Sequence, residues 1–330
     1  MKPFLMQFDT RYWYRPHLTL LTGALLPFSW LFGAVAAARR LSYRKKIFTS
    51  HHFNVPIIVV GNITVGGTGK TPCVIALAQY FAGSGFRPGI VSRGVGGARH
   101  KKPKIVSLNA YASDVGDEAL LLAHNSQCPV VVGIDRVAAV AALLQAHPEC
   151  NLVISDDGLQ HYRLARDIEI AVIDGSRYFG NGRLLPAGPM REPLHRLTEV
   201  DFMIVNGGAL ENAWQMSLEP LGWVSLQDPG QRLPINGVHA KTVHAVAGIG
   251  HPQKFFNTLR ESGYQLLEHV FPDHYSYTAR DFAFKDSLPI LMTEKDAVKC
   301  QEFVNERMWF LQVAAKLDEE FLLRLKNKIL

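Results

Sequence analysis

The sequence has few cysteines and no low-complexity segment, and both absences narrow the classes of protein to which it can belong. Only four cysteines occur in 330 residues, and none lies in a C-x-x-C pair or at a zinc-like spacing from histidine. This usage is typical of reduced thiols in a cytosolic protein, not of a disulfide or zinc scaffold. Apolar residues make up 48% and charged residues 19%, which predicts a globular chain with a large core.

Excess basic charge is also missing from most of the chain. Residues 1–50 carry eight basic side chains and one acidic one, whereas the rest of the chain carries 27 basic and 28 acidic ones. The N-terminal segment therefore accounts for the whole net charge of +6. This distribution argues against a nucleic acid as partner and predicts that the N-terminal segment meets an anionic membrane surface.

Within that segment, the 21 residues from Leu18 to Ala38 contain no charge, and a basic run follows them. A helix of this length would measure ~30 Å, about one hydrocarbon core. Pro27 leaves two alternatives open, a single spanning helix and a kinked helix lying in the membrane interface. A cleaved signal peptide and a hairpin of core helices are further alternatives. The basic flank predicts that the body of the protein faces the cytosol.

After residue 50, short apolar runs rich in β-branched residues alternate with helical stretches. This alternation predicts an α/β fold, with a mostly parallel sheet covered by helices on both faces. A segment rich in Pro, Gly and Asn predicts a linker, and a second, smaller α/β set follows it. The predicted parts are 1–50 (membrane-associated segment), 51–226 (core), 227–240 (linker) and 241–330 (smaller domain). The predicted strands are 56–60, 89–92, 129–133, 151–155, 168–174, 201–206, 242–247, 265–270, 289–292 and 308–313; the predicted helices are 71–83, 117–126, 136–147, 252–262, 278–285, 293–303 and 318–328.

The stretch "GNITVGGTGKTP" ends like a phosphate-binding loop but has Thr64 where G-x-x-x-x-G-K-[ST] places its first glycine. It follows an apolar strand and precedes a helix, as such a loop must, so we expect a P-loop NTPase-like core. Backbone N–H groups would cradle phosphates, Lys70 would reach the β and γ phosphates of ATP, and the Thr71 hydroxyl would bind Mg²⁺. The alternative is an ordinary turn with a chance Gly-Lys-Thr. The predicted nucleotide-binding residues are Thr64, Val65, Gly66, Gly67, Thr68, Gly69, Lys70, Thr71 and, in a second Gly-rich loop, Arg93.

Acidic residues follow a predicted strand at Asp156 and Asp157. A carboxylate at the carboxyl end of a strand is the usual second holder of Mg²⁺ in P-loop enzymes. We therefore predict a metal role for at least one of the two, the alternative being a solvated Asp-Asp-Gly turn. In the loop "PAGPMREP", Arg191 and Glu192 are charged side chains held by rigid neighbours, a common setting for phosphate or metal contacts.

Two more titratable residues are candidates for proton transfer. Asp117 lies in the first turn of a predicted helix, where it either stabilises the helix dipole or accepts a proton. His274 lies in a turn after a predicted strand, where it either acts at the cleft between the two α/β sets or caps the next helix. Ligands commonly bind in such clefts.

Taken together, the motifs resemble the tetraacyldisaccharide 4′-kinase family of lipid A biosynthesis. A phosphate-binding loop with threonine in the first-glycine position is that family's own form. Val95, Ala119 and Tyr275 depart from the family pattern, in which Tyr, Pro and a second His are common. The motifs that carry the resemblance are "GNITVGGTGKTP", "SRGVGG", "GDEALLLA", "SDDGLQH", "PAGPMREP", "FPDHYSY" and "TEKDAVK".

The resemblance implies transfer of the ATP γ-phosphate to the 4′-hydroxyl of a tetraacylated glucosamine disaccharide 1-phosphate. It also implies a membrane-associated N-terminal helix at the cytoplasmic face of the inner membrane. Asp117 and His274 would form a pair near the reacting hydroxyl. Mg²⁺ would lie near Thr71, Asp156, Asp157 and Glu192.

Other functional classes remain open from the residues alone. A P-loop GTPase switch or metallochaperone would bind partners without modifying a lipid. Guanine readers carry N-K-x-D, and the nearest match, "TEKD" at 293–296, has the wrong spacing. A membrane-tethered module with an inactive nucleotide site is disfavoured because Lys70, Thr71 and Asp156 are all present.

Overall fold

The computed structural model describes residues 10–15 and 17–330, so the first nine residues and Pro16 of the predicted membrane segment lie outside it. The strands are β1 (Ile57–Gly61), β2 (Pro88–Ser92), β3 (Lys104–Ile105), β4 (Val130–Val132), β5 (Leu152–Asp156), β6 (Ile168–Asp174), β7 (Phe202–Asn206), β8 (Trp214–Ser225), β9 (Arg232–Leu233), β10 (Thr242–Ala247), β11 (Gln265–Val270), β12 (Ile290–Thr293) and β13 (Met308–Leu317). The α-helices are α1 (Leu20–Arg44), α2 (Lys70–Gly83), α3 (Ala112–Val115), α4 (Asp117–Ser126), α5 (Arg136–Ala146), α6 (Pro252–Glu261), α7 (Glu294–Ala297) and α8 (Glu319–Ile329), and short 3₁₀ helices span Thr10–Tyr14, Leu194–Glu199, Ala279–Phe282 and Gln301–Phe303.

Twelve of the strands follow one another across a single sheet, in the order β11-β10-β12-β13-β8-β7-β6-β1-β5-β2-β4-β3, and β9 pairs with β8. The side chains of β1 are divided between two core clusters, one on each face of the sheet, and helices cover both faces. Ile58 and Val60 belong to one core cluster, with α2, α4 and α8, whereas Ile57 and Val59 belong to the other, with α5. A strand buried on both sides reads as a continuous apolar run. The predicted α/β fold with a mostly parallel sheet is confirmed.

The long strand β8 joins the two sets of parallel strands and was not predicted. It pairs parallel to β7 on one side and antiparallel to β13 on the other. Pro220 and Gly222 disfavour a strand when only the sequence is considered. In the structure, however, Pro220 lies at a register shift against β13, where a missing N–H is tolerated. The predicted linker contains β9, which pairs with β8. The two sets thus lie in one sheet, and their division into two domains stays a prediction.

Most predicted strands and helices lie within one residue of their observed ends, with three exceptions. β13 continues to Leu317. The predicted helix 278–285 is a single 3₁₀ turn, which begins at a capping box between Thr278 and Asp281. The predicted helix 293–303 is α7 followed by a separate 3₁₀ turn. The short strand β3 was also not predicted.

The N-terminal helix α1 is long and apolar enough to cross a membrane, by length and composition. Only 11% of its most apolar window is buried, and large side chains such as Phe28, Trp30 and Leu31 are exposed. One edge of the helix contacts the body, since Ser29 Oγ donates to Leu184 O at 2.8 Å. The apolar surface of α1 therefore has few partners within the described residues, as a membrane-associated helix requires.

Candidate active site

The phosphate-binding loop leads from β1 into α2, and the structure shows why Thr64 needs no glycine there. Thr64 forms an antiparallel bridge with Met190, and Val65 N donates to Pro189 O at 2.8 Å. This part of the loop is extended, a conformation open to any residue. The positive φ angles fall on Gly66 (108°) and Gly69 (93°), where glycine is present.

Side chains from neighbouring strands hold the carbonyl groups of the loop. Arg177 Nη2 donates to Gly67 O at 2.7 Å, and Asn206 Nδ2 donates to Thr68 O at 3.1 Å. Asp174 in turn holds Arg177 Nε at 2.6 Å. With the carbonyl groups engaged in this way, the backbone N–H groups at the start of α2 are suited to an anion.

The two adjacent aspartates after β5 lie in different environments. Asp157 contacts Lys70 Nζ at 3.5 Å and Arg191 Nη1 at 3.1 Å. Burial opposes its ionisation, but Lys70 and Arg191 lower the pKa of Asp157 to about 2. Asp157 is therefore a fixed anion that positions the phosphate-loop lysine.

Asp156 is buried, and burial together with Glu118 and Asp157 raises its pKa to about 7. Oδ2 accepts a hydrogen bond from Ser92 Oγ at 3.0 Å, whereas Oδ1 has no hydrogen-bond partner among the described residues. A buried carboxylate with an unpaired oxygen is stabilised by a cation close to it.

Asp117 and His274 form a hydrogen-bonded pair. Asp117 is the first residue of α4 and is 2% exposed, and His274 Nδ1 lies 3.1 and 3.0 Å from its two carboxylate oxygens. The hydrogen bond raises the pKa of His274. Burial opposes ionisation of Asp117, but His274 and Lys295 lower its pKa below the ordinary value. The pair is therefore a carboxylate next to an imidazole that readily binds a proton.

Lys295 is a site residue that sequence reasoning missed. Its Nζ lies 3.0 Å from Glu118, 3.1 Å from Asp273 and 4.0 Å from Asp117. Burial would lower the pKa of Lys295, but these three carboxylates raise it. Lys295 thus ties α4 to the loop that carries His274. The only sequence signal was its place in the motif "TEKDAVK".

Glu192 is buried, and protein groups contact both of its carboxylate oxygens. Gln160 Nε2 donates at 2.7 Å, the Tyr162 hydroxyl donates at 2.6 Å, and Arg196 Nε lies 3.3 Å away. The metal role of Glu192 stays a prediction, and its partners were not among the predicted site residues. Arg93 follows β2 and is exposed.

The phosphate loop and the Asp117–His274 pair lie next to each other. A Cβ atom on Gly250 would lie 3.5 Å from Gly67 N and 3.7 Å from Asp273 Oδ2. A Cβ on Gly96, from the second Gly-rich loop, would lie 3.3 Å from His274 Nδ1 and 3.4 Å from Asp117 Oδ1. A cavity of about 130 Å³ opens beside the pair, with Tyr111, Lys299 and Phe303 among its lining residues. The structure therefore brings the candidate phosphate loop and the Asp117–His274 pair into the same region.

Comparisons with known proteins agree with this arrangement. The sequence model of the family described as Tetraacyldisaccharide-1-P 4'-kinase matches residues 21–330. The chain belongs to the tetraacyldisaccharide 4′-kinase family. It is therefore a kinase of lipid A biosynthesis, which transfers phosphate from ATP to the 4′-hydroxyl of tetraacyldisaccharide 1-phosphate.

Similar proteins of this family cover nearly the whole chain. The tetraacyldisaccharide 4'-kinase of Methylobacillus flagellatus is 49% identical over 89% of this chain and 88% of its own length. That of Ruthia magnifica is 48% identical over 94% of this chain and 98% of its own length. A crystal structure of "apo" form LpxK from Aquifex aeolicus in complex with ATP has a TM-score of 0.78 and 30% identity, and covers 94% of this chain and 99% of that one.

One departure from the family pattern has a visible structural place in this kinase. Tyr275, where a second histidine is common, packs against Phe271 and Tyr277 with ring centroids 4.9 and 5.2 Å away. Its hydroxyl donates to Asp281 at 3.3 Å. Tyr275 thus supports the loop of His274 through an aromatic cluster.

Gly69→Ala tests the geometry of the phosphate loop. A Cβ atom at Gly69 would lie 2.5 Å from Asn206 Nδ2, and the φ of 93° disfavours alanine. We expect ATP binding to weaken at least about tenfold, since about 1–3 kcal/mol of strain is introduced at the cradle. Gly83→Ala, at the end of the same helix with no atom within 4 Å of its Cβ, is the control. Equal ATP affinities for both variants, measured by calorimetry, would contradict the assigned loop.

Asp117→Asn tests the electrostatics of the pair. Because the carboxylate raises the pKa of His274, removing its charge should lower that pKa and reduce the protonated fraction of the imidazole at neutral pH. Asp273→Asn removes a more weakly coupled charge, 3.9 Å from His274 Nε2, and should have a smaller effect. NMR titration gives the pKa of His274 in each variant, and the His274→Gln variant assigns its signal. A larger pKa change in Asp273→Asn than in Asp117→Asn would show that Asp117 is not the main partner of His274.

Proposed function

We propose that Asp117 accepts or orients the proton of the 4′-hydroxyl while the phosphate loop and Lys70 hold the γ-phosphate of ATP. The observation that carries this assignment is the 3.0 Å contact between Asp117 and His274 beside the loop. Phosphoryl transfer passes through a loose transition state, so positioning and charge neutralisation matter more than a strong base. An aspartate with a lowered pKa is sufficient for that task.

His274 would keep Asp117 oriented and ionised, because its Nδ1–H donates to the carboxylate. Lys295 would hold the loop of His274 against α4 through Asp273 and Glu118. Both residues belong to the predicted domain 241–330. We therefore infer that this part closes over the nucleotide and excludes water, which would otherwise compete with the sugar hydroxyl.

The residues present fit a Mg²⁺ ion. Asp156 has a buried oxygen with no hydrogen-bond partner in the described part of the chain, and Thr71 is the second residue of α2. Asp156 and Thr71 would hold the ion, and a bound Mg²⁺ would supply charge neutralisation for the phosphates of ATP. Within residues 10–15 and 17–330, no three His, Cys, Asp or Glu side chains could hold a metal alone. Asp156 and Thr71 would therefore act together with the nucleotide, while Asp157 would position Lys70.

We also propose that α1 holds the kinase at the cytoplasmic face of the inner membrane, where an acylated acceptor resides. The exposed apolar side chains of α1 would enter the lipid, and the basic residues after Ala38 would meet anionic headgroups. Ser29 connects α1 to the loop of Arg191 and Glu192, because its Oγ donates to Leu184 O and accepts from Ala187 N. Helix α1 is thus in contact with the chain that leads into the loop of Arg191 and Glu192.

Separate substitutions test the roles of the two carboxylates. Asp117→Ala should lower kcat with little change in the apparent affinity for ATP-Mg²⁺, because Asp117 acts on the acceptor. Asp156→Ala should raise the Mg²⁺ requirement. Lys70→Ala should lower turnover about 100-fold or more. Labelled phosphate transferred to the acylated disaccharide 1-phosphate, over a range of Mg²⁺ and ATP concentrations, is the measurement. The reverse pattern for Asp117 and Asp156 would show that their roles are exchanged.

Charges placed on α1 test the membrane assignment. Phe28→Asp combined with Leu31→Asp should move the full-length protein from the membrane to the soluble fraction, since about 2.5–3.5 kcal/mol is lost for each charge in lipid. Glu211→Asp, a conservative change at an exposed residue of the body, is the control and should leave the protein in the membrane fraction. ATP binding should persist in the double variant. Unchanged fractionation would place α1 outside the membrane.

A further inference from the structure

A second pocket, of about 720 Å³, lies at the carboxyl end of α1 and is separate from the Asp117–His274 pair. Its walls come from the end of α1, the chain from 48 to 52, the chain from 162 to 169 and the 3₁₀ helix Leu194–Glu199. Its charged lining residues are Arg40, Arg44, Lys46, Arg166, Arg196, Glu169 and Glu199.

Basic charge exceeds acidic charge in this pocket, with five cationic side chains and two carboxylates. Glu169 is engaged by Arg166 at 2.7 Å and also by Arg196, and Arg196 in addition lies 3.3 Å from Glu192, a third carboxylate just outside the lining. Glu199 is approached by Arg40 and by Arg44 at 3.4 Å each, which is longer than a good charge-assisted hydrogen bond. The carboxylates cannot neutralise all five cations, so the pocket attracts anions.

Two buried guanidinium nitrogens in the pocket walls, Nη1 of Arg40 and Nε of Arg196, form no well-aligned hydrogen bond to a described residue. Each nevertheless lies beside a carboxylate, Arg40 Nη1 at 3.4 Å from Glu199 and Arg196 Nε at 3.3 Å from Glu192. Phosphate oxygens are the acceptors that arginine binds best, so a phosphate in the pocket would supply the hydrogen bonds that these ion pairs leave incomplete.

The pocket also has an apolar side. Tyr43 lies between Phe48 and Tyr162, with ring centroids 5.4 and 5.9 Å away, and all three line the pocket. The pocket begins where the apolar part of α1 ends. If α1 lies in the membrane as proposed above, the pocket lies at the level of the lipid headgroups, so a ligand with a phosphate and an adjoining sugar or glycerol would fit.

We propose that this pocket binds the phosphate group of a membrane lipid. That phosphate belongs either to an anionic phospholipid or to the acceptor, whose 1-phosphate is present on the same face of the membrane. Tyr162 and Arg196 line the pocket and both contact Glu192, at 2.6 and 3.3 Å. Lipid bound in the pocket would therefore touch two residues that contact Glu192, in the loop that also carries Arg191.

The first arm of the test measures phospholipid binding by the full-length protein. Arg44→Gln combined with Lys46→Gln removes two charges from the pocket. Arg39→Gln combined with Lys45→Gln removes two charges from the same helix end, at exposed residues that do not line the pocket. The first double variant is called the pocket pair and the second the control pair. Their binding to vesicles of phosphatidylcholine, with and without phosphatidylglycerol, is compared by sedimentation. Both pairs should lose the same general electrostatic attraction to the anionic vesicle surface.

If a phospholipid is the ligand, the pocket pair should bind phosphatidylglycerol vesicles at least tenfold more weakly than the control pair does.

The second arm measures KM for the acylated disaccharide 1-phosphate in neutral detergent micelles. If the acceptor is the ligand, the pocket pair raises this KM at least fivefold at unchanged kcat, and the control pair does not. Equal behaviour of the two pairs in both arms overturns the proposal. Turnover of the unaltered enzyme in the micelles tests the kinase assignment separately.

Discussion

The antiparallel pairing of β8 with β13 is the contact on which the arrangement of the site depends. It joins two sets of parallel strands into one sheet and reverses the direction of the second set. In the resulting arrangement, the loop after β11, with His274, lies against the amino end of α4, with Asp117. Each half supplies only part of the site, since the phosphate loop and both strand-end aspartates come from the first half.

Residues of one chemical type take different roles because their surroundings differ. Asp157 is neutralised by Lys70 and Arg191, whereas its neighbour Asp156 has a buried oxygen that no residue described in the structure pairs with. Asp117 is buried as well, but the imidazole and Lys295 stabilise its charge. One carboxylate is thus suited to position a lysine, another to meet a cation and a third to meet a hydroxyl.

Local patterns predicted most of the fold and most of the segments that meet at the candidate site, and long-range pairing explains what they missed. The phosphate loop was recognisable because strand, glycines and helix are contiguous. Thr64 departs from the general motif, and only its bridge to Met190, which is distant in sequence, explains why no glycine is required there. β8 could not be predicted, because its stability comes from β13, which is distant in sequence. Lys295 was missed for the same reason, since its three carboxylate partners lie on other segments.

The central claim is that Asp117 and His274 act as one catalytic unit assembled from the two halves of the sheet. A double-mutant cycle tests it most directly, with kcat/KM for the acylated disaccharide 1-phosphate measured for the unaltered enzyme, Asp117→Ala, His274→Ala and the double variant. The account predicts that the double variant is little worse than the more impaired single variant, at unchanged ATP affinity. Losses that multiply fully in the double variant would contradict it.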